Sequence, residues 1–394
     1  MELLRDLNID FMKYRKFWIV VSLVLLAVGI FSVFVHGKLN VGIDFAGGTQ
    51  LTLKFKQPPD LGELRRVIAD AGIAEAQIQR FGEPGDHEII VKTPLVEGSE
   101  EGSRAPVVAA LDARYNPGAA GLDLNRAGAA DVAAVLLGGV PDVRSEADLA
   151  RQADALAVAE AILDARRDAG LFTDWDQLAA APGVGAEALA QLRDASRLGE
   201  FALLGVENVG SQIGEELRLK GILAVILSLL GMLIYIWVRF ELRFGIGALM
   251  ASLHDVVVCL GFYALAGFEF NLTTIAAFLT LVGYSVNDTV VIFDRVRENM
   301  RKTRRMPLIE VLNLSLNQTL SRTFLTSGTT LLAVGALLVF GGDVLRGFAF
   351  VMTVGVVVGT YSSIYIASPF TLLWEQLFGS EARARRASGR QKAA

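Results

Sequence analysis

The chain of 394 residues has one cysteine, Cys259, and three histidines, His36, His87 and His254, far apart in sequence. A single thiol excludes an intrachain disulfide, so any domain outside the cytoplasm has to be stable without one. These residues supply no metal-ligand spacing. No Walker-type phosphate loop and no hydrolase constellation is visible. Neither a metal nor another cofactor is expected, and the pattern points to a transporter component rather than an enzyme. Charge is scarce as well: 20% of residues are charged against 53% hydrophobic, and the mean hydropathy is +0.45. That is too apolar for an ordinary soluble protein of this length.

The apolar residues are unevenly placed. Phe17–Val35 forms a first run of about 19 residues behind Lys13, Arg15 and Lys16, long enough to cross about 30 Å of hydrocarbon and too long for a cleaved signal. No comparable run follows until Gly221. Five then come in succession: Gly221–Val238, Phe244–Phe268, Leu272–Phe293, Thr323–Phe340 and Gly347–Trp374. The positive-inside rule places both termini in the cytoplasm, with Arg239 and Arg243, a basic 294–322 loop and a basic tail on the same side. Residues 37–220 carry 18 Lys+Arg against 29 Asp+Glu, a net −11, and the rest of the chain carries +6. The expected organisation is therefore a cytoplasmic N-terminus with the first span (1–36), an external domain (37–220), five spans (221–374) and a basic cytoplasmic tail (375–394).

Within the external domain, Thr49–Phe55 alternates with period two and predicts a strand. Leu61, Leu64, Val67 and Ile68 predict a helix over 59–71 with Asp60 as N-cap. Strands over 76–81 and 88–92, joined by a Gly-Glu-Pro-Gly-Asp turn, a helix over 103–115 and a strand over 201–206 complete the order of an α+β ferredoxin-like unit. Its last connection is interrupted by residues 116–199, rich in Ala, Asp and Leu, which are expected to be all-helical, with Leu124-Asn125-Arg126-Ala127 opening one helix. The segment containing Pro182-Gly183-Val184-Gly185 resembles the helix-hairpin-helix domains of competence-type DNA-binding proteins, in which such a hairpin turns backbone N–H groups toward a phosphate. Leu137-Gly138-Gly139-Val140-Pro141 departs from that pattern at the first hairpin. The insert is acidic and lacks the basic stripe that phosphate neutralisation requires, which argues against a nucleic-acid partner.

Polar residues inside the apolar runs are the candidate functional groups, because an ionisable side chain in hydrocarbon costs several kcal/mol unless paired or hydrated. Asp255 falls near the middle of the third span, beside His254. Neighbours on a helix point about 100° apart, so the two are not expected to face one site squarely. Asp288 follows Asn287 in the fourth span and shares a helical face with Tyr284 and Arg295. Thr323, Thr326, Ser327 and Thr330 form a polar stripe in the fifth. The pattern suggests a relay of Asp255, Asp288, Thr326 and Thr330 with Arg295 or Arg322 supplying a compensating charge. The alternative is that Asn287, Asp288 and the hydroxyls join helices together. An intramembrane Asp suits H⁺ or Na⁺ equally. Gly355 and Gly359 form a GxxxG in the last span and predict close helix packing. Just outside the first span, Val41-Gly42-Ile43-Asp44-Phe45-Ala46-Gly47-Gly48-Thr49 permits a tight backbone path. Asp44, Gly47 and Gly48, with Gly210 and Gly214 near the second span, are read as a structural joint.

Taken in order, the Asp44–Gly48 stretch, Val206–Leu217, His254-Asp255-Val256, Gly283–Thr289 and Asn317–Thr323 resemble the SecF-type proteins of the SecD/SecF protein-export family, over residues 8–115 and 200–375. The insert is not part of that family's usual pattern. The resemblance implies a six-helix, RND-like permease half that pairs with SecD. It implies work beside the SecYEG channel, with YajC as a further partner, on unfolded secreted polypeptides at a bacterial inner membrane, driven by the proton gradient. A competing reading is an RND-like exporter of lipids or small molecules. Since one set of one-plus-five spans is present, such an exporter would have to act as a dimer.

Overall fold

The computed structural model describes residues 8–35, 40–73, 75–82, 85–94, 103–118, 120–139, 145–303 and 305–379. The chain divides into two compact units, residues 45–215 and residues 1–44 with 216–394. In chain order it opens with a short 3₁₀ turn, Phe11–Tyr14, running into α1 (Arg15–Val35). A two-residue strand, β1 (Asn40–Val41), and one helical turn, α2 (Ile43–Ala46), follow.

The 45–215 unit is built on β2 (Gly48–Phe55), α3 (Leu61–Asp70), β3 (Gln77–Phe81), β4 (Glu88–Thr93) and α4 (Arg104–Tyr115). The insert contributes β5 (Leu122–Asp123), α5 (Ala129–Leu136), α6 (Glu146–Ala169), α7 (Trp175–Ala179), α8 (Ala186–Ala195) and β6 (Ser196–Arg197), before β7 (Phe201–Val209) returns to the sheet. The sheet order is β3-β4-β2-β7 with every neighbour antiparallel. Period-two alternation sends Leu51, Leu53 and Phe55 of β2 to one face, where they meet Leu64 and Ile68 of α3 and Val107 and Leu111 of α4 in a closed core. Asp60 caps α3 by accepting from the Gly62 and Glu63 N–H groups at 2.6 and 3.0 Å. The Glu63 N–H, then that of Gly62, hold its carboxyl below the usual range. Part of the predicted Gly-Glu-Pro-Gly-Asp turn lies outside the described residues.

The insert has its own core, with Leu124, Val132, Ala159, Ile162, Phe172, Leu178 and Leu192 buried together. Two expectations need correction there. The insert is not purely helical, because β5 and β6 pair in parallel across its two ends. Leu124-Asn125-Arg126-Ala127 does not open a helix. It forms the clamp that closes the insert, because the Asn125 side chain bonds to distant backbone instead of to the following turn. Asn125, 1% exposed, donates to the Phe172 and Gly199 carbonyls at 3.0 and 2.8 Å and accepts from the Phe172 N–H at 2.9 Å. Arg166 donates to the Leu124 and Ala127 carbonyls, each at 2.8 Å. Asn125→Ala leaves two carbonyls and one N–H buried without partners, a cost of about 3 kcal/mol or more. Limited proteolysis of the full chain should then cut inside 120–199 on the order of a hundredfold faster. Unchanged protection would show that the clamp does not hold the insert closed.

The second unit resumes with α9 (Ser211–Arg239), α10 (Leu242–Leu265), a two-residue strand β8 (Glu269–Phe270), α11 (Leu272–Lys302), α12 (Leu308–Phe340) and α13 (Gly342–Ser362). A π turn, Ser363–Ala367, leads into α14 (Ser368–Phe378). Among the described residues, six helical stretches are long and apolar enough to cross a membrane: Phe11–Phe34, Ser211–Arg239, Leu242–Leu265, Leu272–Lys302, Leu308–Phe340 and Val344–Phe378. The basic 294–322 segment is not a loop. α11 and α12 run through most of it, because their 31 and 33 residues extend about 46–50 Å at 1.5 Å per residue, well past a 30 Å core. The projecting turns are joined by Asn299, which donates to Ser315 at 2.9 Å and Gln318 at 2.8 Å. Asn313 and Asn317 tie the first residues to α12, accepting from the Met12 and Ile9 N–H groups at 3.0 and 2.9 Å. Residues 211–220, assigned by sequence to the external domain, are the first turns of α9.

Candidate functional site

Among the described residues, two buried carboxylates lie within the membrane-spanning helices, and both are held by hydroxyls. Asp255 on α10 is 1% exposed. Its Oδ2 accepts from Ser285 of α11 at 2.5 Å and from Ser362 of α13 at 2.8 Å. Its Oδ1 lies 2.9 Å from His254 Nδ1. The other ring nitrogen, Nε2, is 3.0 Å from the Tyr361 hydroxyl, which accepts from Ser22 of α1 at 3.4 Å. The two side chains, not expected to face one site squarely, are in contact. Their Cα–Cβ bonds diverge, but the imidazole is long enough to fold back onto the carboxylate. The close approach of α13 depends on glycine, since a Cβ at Gly359 would stand 3.3 Å from Ser285 Cβ and 3.5 Å from Asp255 Oδ2, and one at Gly355 would meet the Leu281 side chain. The π turn begins one residue after Ser362, so the helix is re-registered next to the carboxylate, a placement common at functional sites.

Asp288 on α11 forms the centre of the second cluster. Ser327 of α12 donates to its Oδ2 at 3.4 Å. Ser327 accepts in turn from Thr360 of α13 at 2.8 Å and from Tyr284 at 3.4 Å. Arg322 lies within electrostatic reach of Asp288. The two clusters share α11 and α13: Ser285 precedes Asp288 by three residues, and Thr360 precedes Ser362 by two.

Other sequence candidates fall elsewhere. Arg295 donates to Gln318 at 2.7 Å and Glu298 at 2.5 Å, two turns beyond Asp288, so its charge is matched locally. Thr326 donates to the Arg322 and Thr323 carbonyls of its own helix, both at 3.0 Å, as membrane-helix hydroxyls commonly do. Thr330 is half-buried one turn further along α12. Ser22, Ser285, Ser362, Thr360 and Tyr361 were missed. The only signal for them is that single hydroxyls recur inside apolar runs, and their spacing does not reveal which carboxylate they will meet.

The joint residues are also placed. In the membrane-spanning unit, Asp44 Oδ2 accepts from the Leu272 N–H at 3.0 Å, so a carboxylate sits at the N-terminus of α11 where the helix dipole favours it. β1 pairs in parallel with β8, matching Asn40 to Glu269 and Val41 to Phe270. In the other unit, Gly47 and Gly48 have φ of +72° and +143°, values glycine accepts at little cost. A Cβ at Gly214 would stand 3.1 Å from the Gly47 nitrogen. At Gly210 a Cβ would meet nothing within 4 Å, so no close approach requires that glycine.

In the insert, Gly183 has φ +81° and Gly185 caps α8, but several of the cations among the described residues are already engaged. Arg126 pairs with Asp112 and Asp123, Arg167 with Asp164, Arg166 bonds backbone carbonyls, and Arg193 lies over the Trp175 ring. Counted over residues 116–199, 7 basic side chains face 13 acidic ones, the wrong balance for phosphate.

Six long apolar helices with two buried carboxylates among them define a multi-pass α-helical membrane protein whose interior holds ionisable groups. The chain matches the family models for the SecD/SecF GG motif over residues 33–59 and for the C-terminal part of the protein export membrane proteins SecD/SecF over residues 190–377. It is 37% identical over 396 residues to the protein translocase subunit SecF of Koribacter versatilis, covering 98% of this chain and 96% of that relative. It is 35% identical over 374 residues to that of Desulfurispirillum indicum, covering 94% and 93%. The crystal structure of SecDF, a translocon-associated membrane protein from Thermus thermophilus, is 32% identical with a TM-score of 0.63. That match covers 94% of this chain and 39% of the SecDF chain. A second SecDF crystal structure, in the super-membrane-facing form, is 33% identical with a TM-score of 0.55, covering 98% and 41%. The chain belongs to the SecF family of protein translocase subunits, accessory components of protein export. The relatives above lend no support to the lipid or small-molecule exporter reading.

Proposed function

We propose that the chain pairs with SecD beside the SecYEG channel, with YajC as a further partner, in a bacterial inner membrane. There it uses proton entry to help unfolded secreted polypeptides complete their crossing. Its termini are cytoplasmic and the unit of residues 45–215 is external, a ferredoxin-like sheet with a mostly helical insert at about 116–199. The sheet order β3-β4-β2-β7 supports that fold, and the basic residues at the ends of α9, α11 and the tail support that orientation. SecD as the partner is supported by the SecDF chains, of which this chain spans about two fifths.

The observation that carries the proton reading is Asp255. It is buried among spanning helices with two hydroxyls and one imidazole around it. A site for Na⁺ needs several oxygen lone pairs pointing inward. Here Ser285 and Ser362 donate to the carboxylate, which suits a group that gains and loses a proton. Asp288 with Ser327, Thr360 and Arg322 forms the second station. Asp44 and the Gly47-Gly48 turn act as a tight structural joint. In cells depleted of their own SecF-type subunit, this chain should restore export of a secreted reporter. That gain should vanish when the proton gradient is dissipated. Equal restoration without a gradient would refute proton use.

A further inference from the structure

The membrane-spanning unit has a groove of about 640 Å³ between α1, α10 and α14. Ile19, Leu26, Leu253, Val257, Phe370 and Leu373 make its walls apolar, and His254 stands among them. Arg15 closes one end. Only one of its donors is used in the bond to the Met12 carbonyl at 2.9 Å, and Lys13 and Lys16 flank it, both exposed. No acidic side chain lines the groove among the described residues.

The dimensions limit what can fill it. From Arg15 to Leu26 is eleven residues of α1, about 16 Å at 1.5 Å per residue. That is close to half of a 30 Å hydrocarbon core, the depth of one leaflet. A groove that is cationic at the membrane surface, apolar beyond it and one leaflet deep matches a single lipid. Arg15 at its mouth favours a negative headgroup, because a basic side chain attracts anionic lipid at a membrane surface.

We propose that this groove holds one anionic phospholipid, its phosphate on Arg15 and one acyl chain lying along α1 as far as His254. The seated chain covers the groove side of the imidazole and keeps water from the His254–Asp255 pair there.

Native mass spectrometry of the full chain tests this, with the protein purified from membranes containing equal phosphatidylglycerol and phosphatidylethanolamine together with whatever subunit accompanies it. One retained phosphatidylglycerol per chain is expected, preferred about fivefold, the effect of one basic side chain. Arg15→Gln should bring that preference close to one. Leu253→Trp, which fills the groove, should remove the retained lipid altogether. Equal retention of both lipids by the wild type, or the same preference in Arg15→Gln, would overturn the proposal as an annular belt only. A photo-crosslinker at Leu253 that captures a protein helix in place of lipid would overturn it too. The Arg15→Gln comparison does not depend on Leu253→Trp folding.

Discussion

Asp255→Asn should abolish the proton-driven part of export, by roughly tenfold or more, while the protein still accumulates in the membrane. The substitution keeps the size and polarity of the side chain. Ser285 and Ser362 rotate their hydroxyls to suit an amide, and the packing of α10 on α11 and α13 is retained. What is lost is the ability to take and release a proton. Asp255→Ala separates the two roles, since it also empties the space between Ser285, Ser362 and His254 and should lower membrane abundance as well. If Asp255→Asn exports normally, Asp255 is a packing residue and the carrier has to be sought at Asp288. A milder loss is expected for His254→Gln. It leaves the carboxylate in place and removes the bridge to Tyr361, so the pH at which export is half-maximal should move although export continues.

Gly261→Val should detach the first spanning helix. α1 and α10 approach most closely where Gly29 faces Gly261. A Cβ on Gly261 would collide with the Gly29 backbone, and one on Gly29 would stand 3.3 Å from Gly261 Cα. A backbone cannot swing aside as a flexible side chain can. In lipid, helices associate through close packing of small residues, with little hydrophobic drive to compensate. Overpacking of this kind costs about 1–3 kcal/mol, and here it falls on a helix whose main neighbour is α10. The thermal transition of the purified chain should drop by about 1–4 °C, and crosslinking between cysteines placed at Leu26 and Val257 should fall in parallel. Wild-type melting and crosslinking would show that α1 is held by other contacts.

The six spans and the sheet were legible because hydropathy and period-two alternation are local properties. Asp60 was legible as a cap for the same reason. The clamp at Asn125 was not, because its partners lie at Phe172 and Gly199 and a short polar run reads equally well as a helix start. The basic 294–322 segment was misread because charge was taken to mark a loop, whereas long helices that leave the hydrocarbon carry charge on their outer turns. Both buried carboxylates were visible as exceptions to apolar runs. Their partners were not: Ser285, Ser362 and Ser327 have no distinguishing spacing, and Thr326, in the more prominent stripe, spends its hydroxyl on its own helix. The His254–Asp255 contact was missed because helix geometry fixes where Cβ points and not how far a side chain can fold back. The Gly29–Gly261 crossing was invisible for want of any motif around either glycine.

The most direct test is proton flux. The full chain, reconstituted with SecD in liposomes that enclose a pH-sensitive dye, is given a pH gradient. Proton entry should exceed the protein-free rate, and both Asp255→Asn and Asp288→Asn should return it to that rate. Undiminished flux through Asp255→Asn would contradict the assignment of Asp255 as the proton carrier.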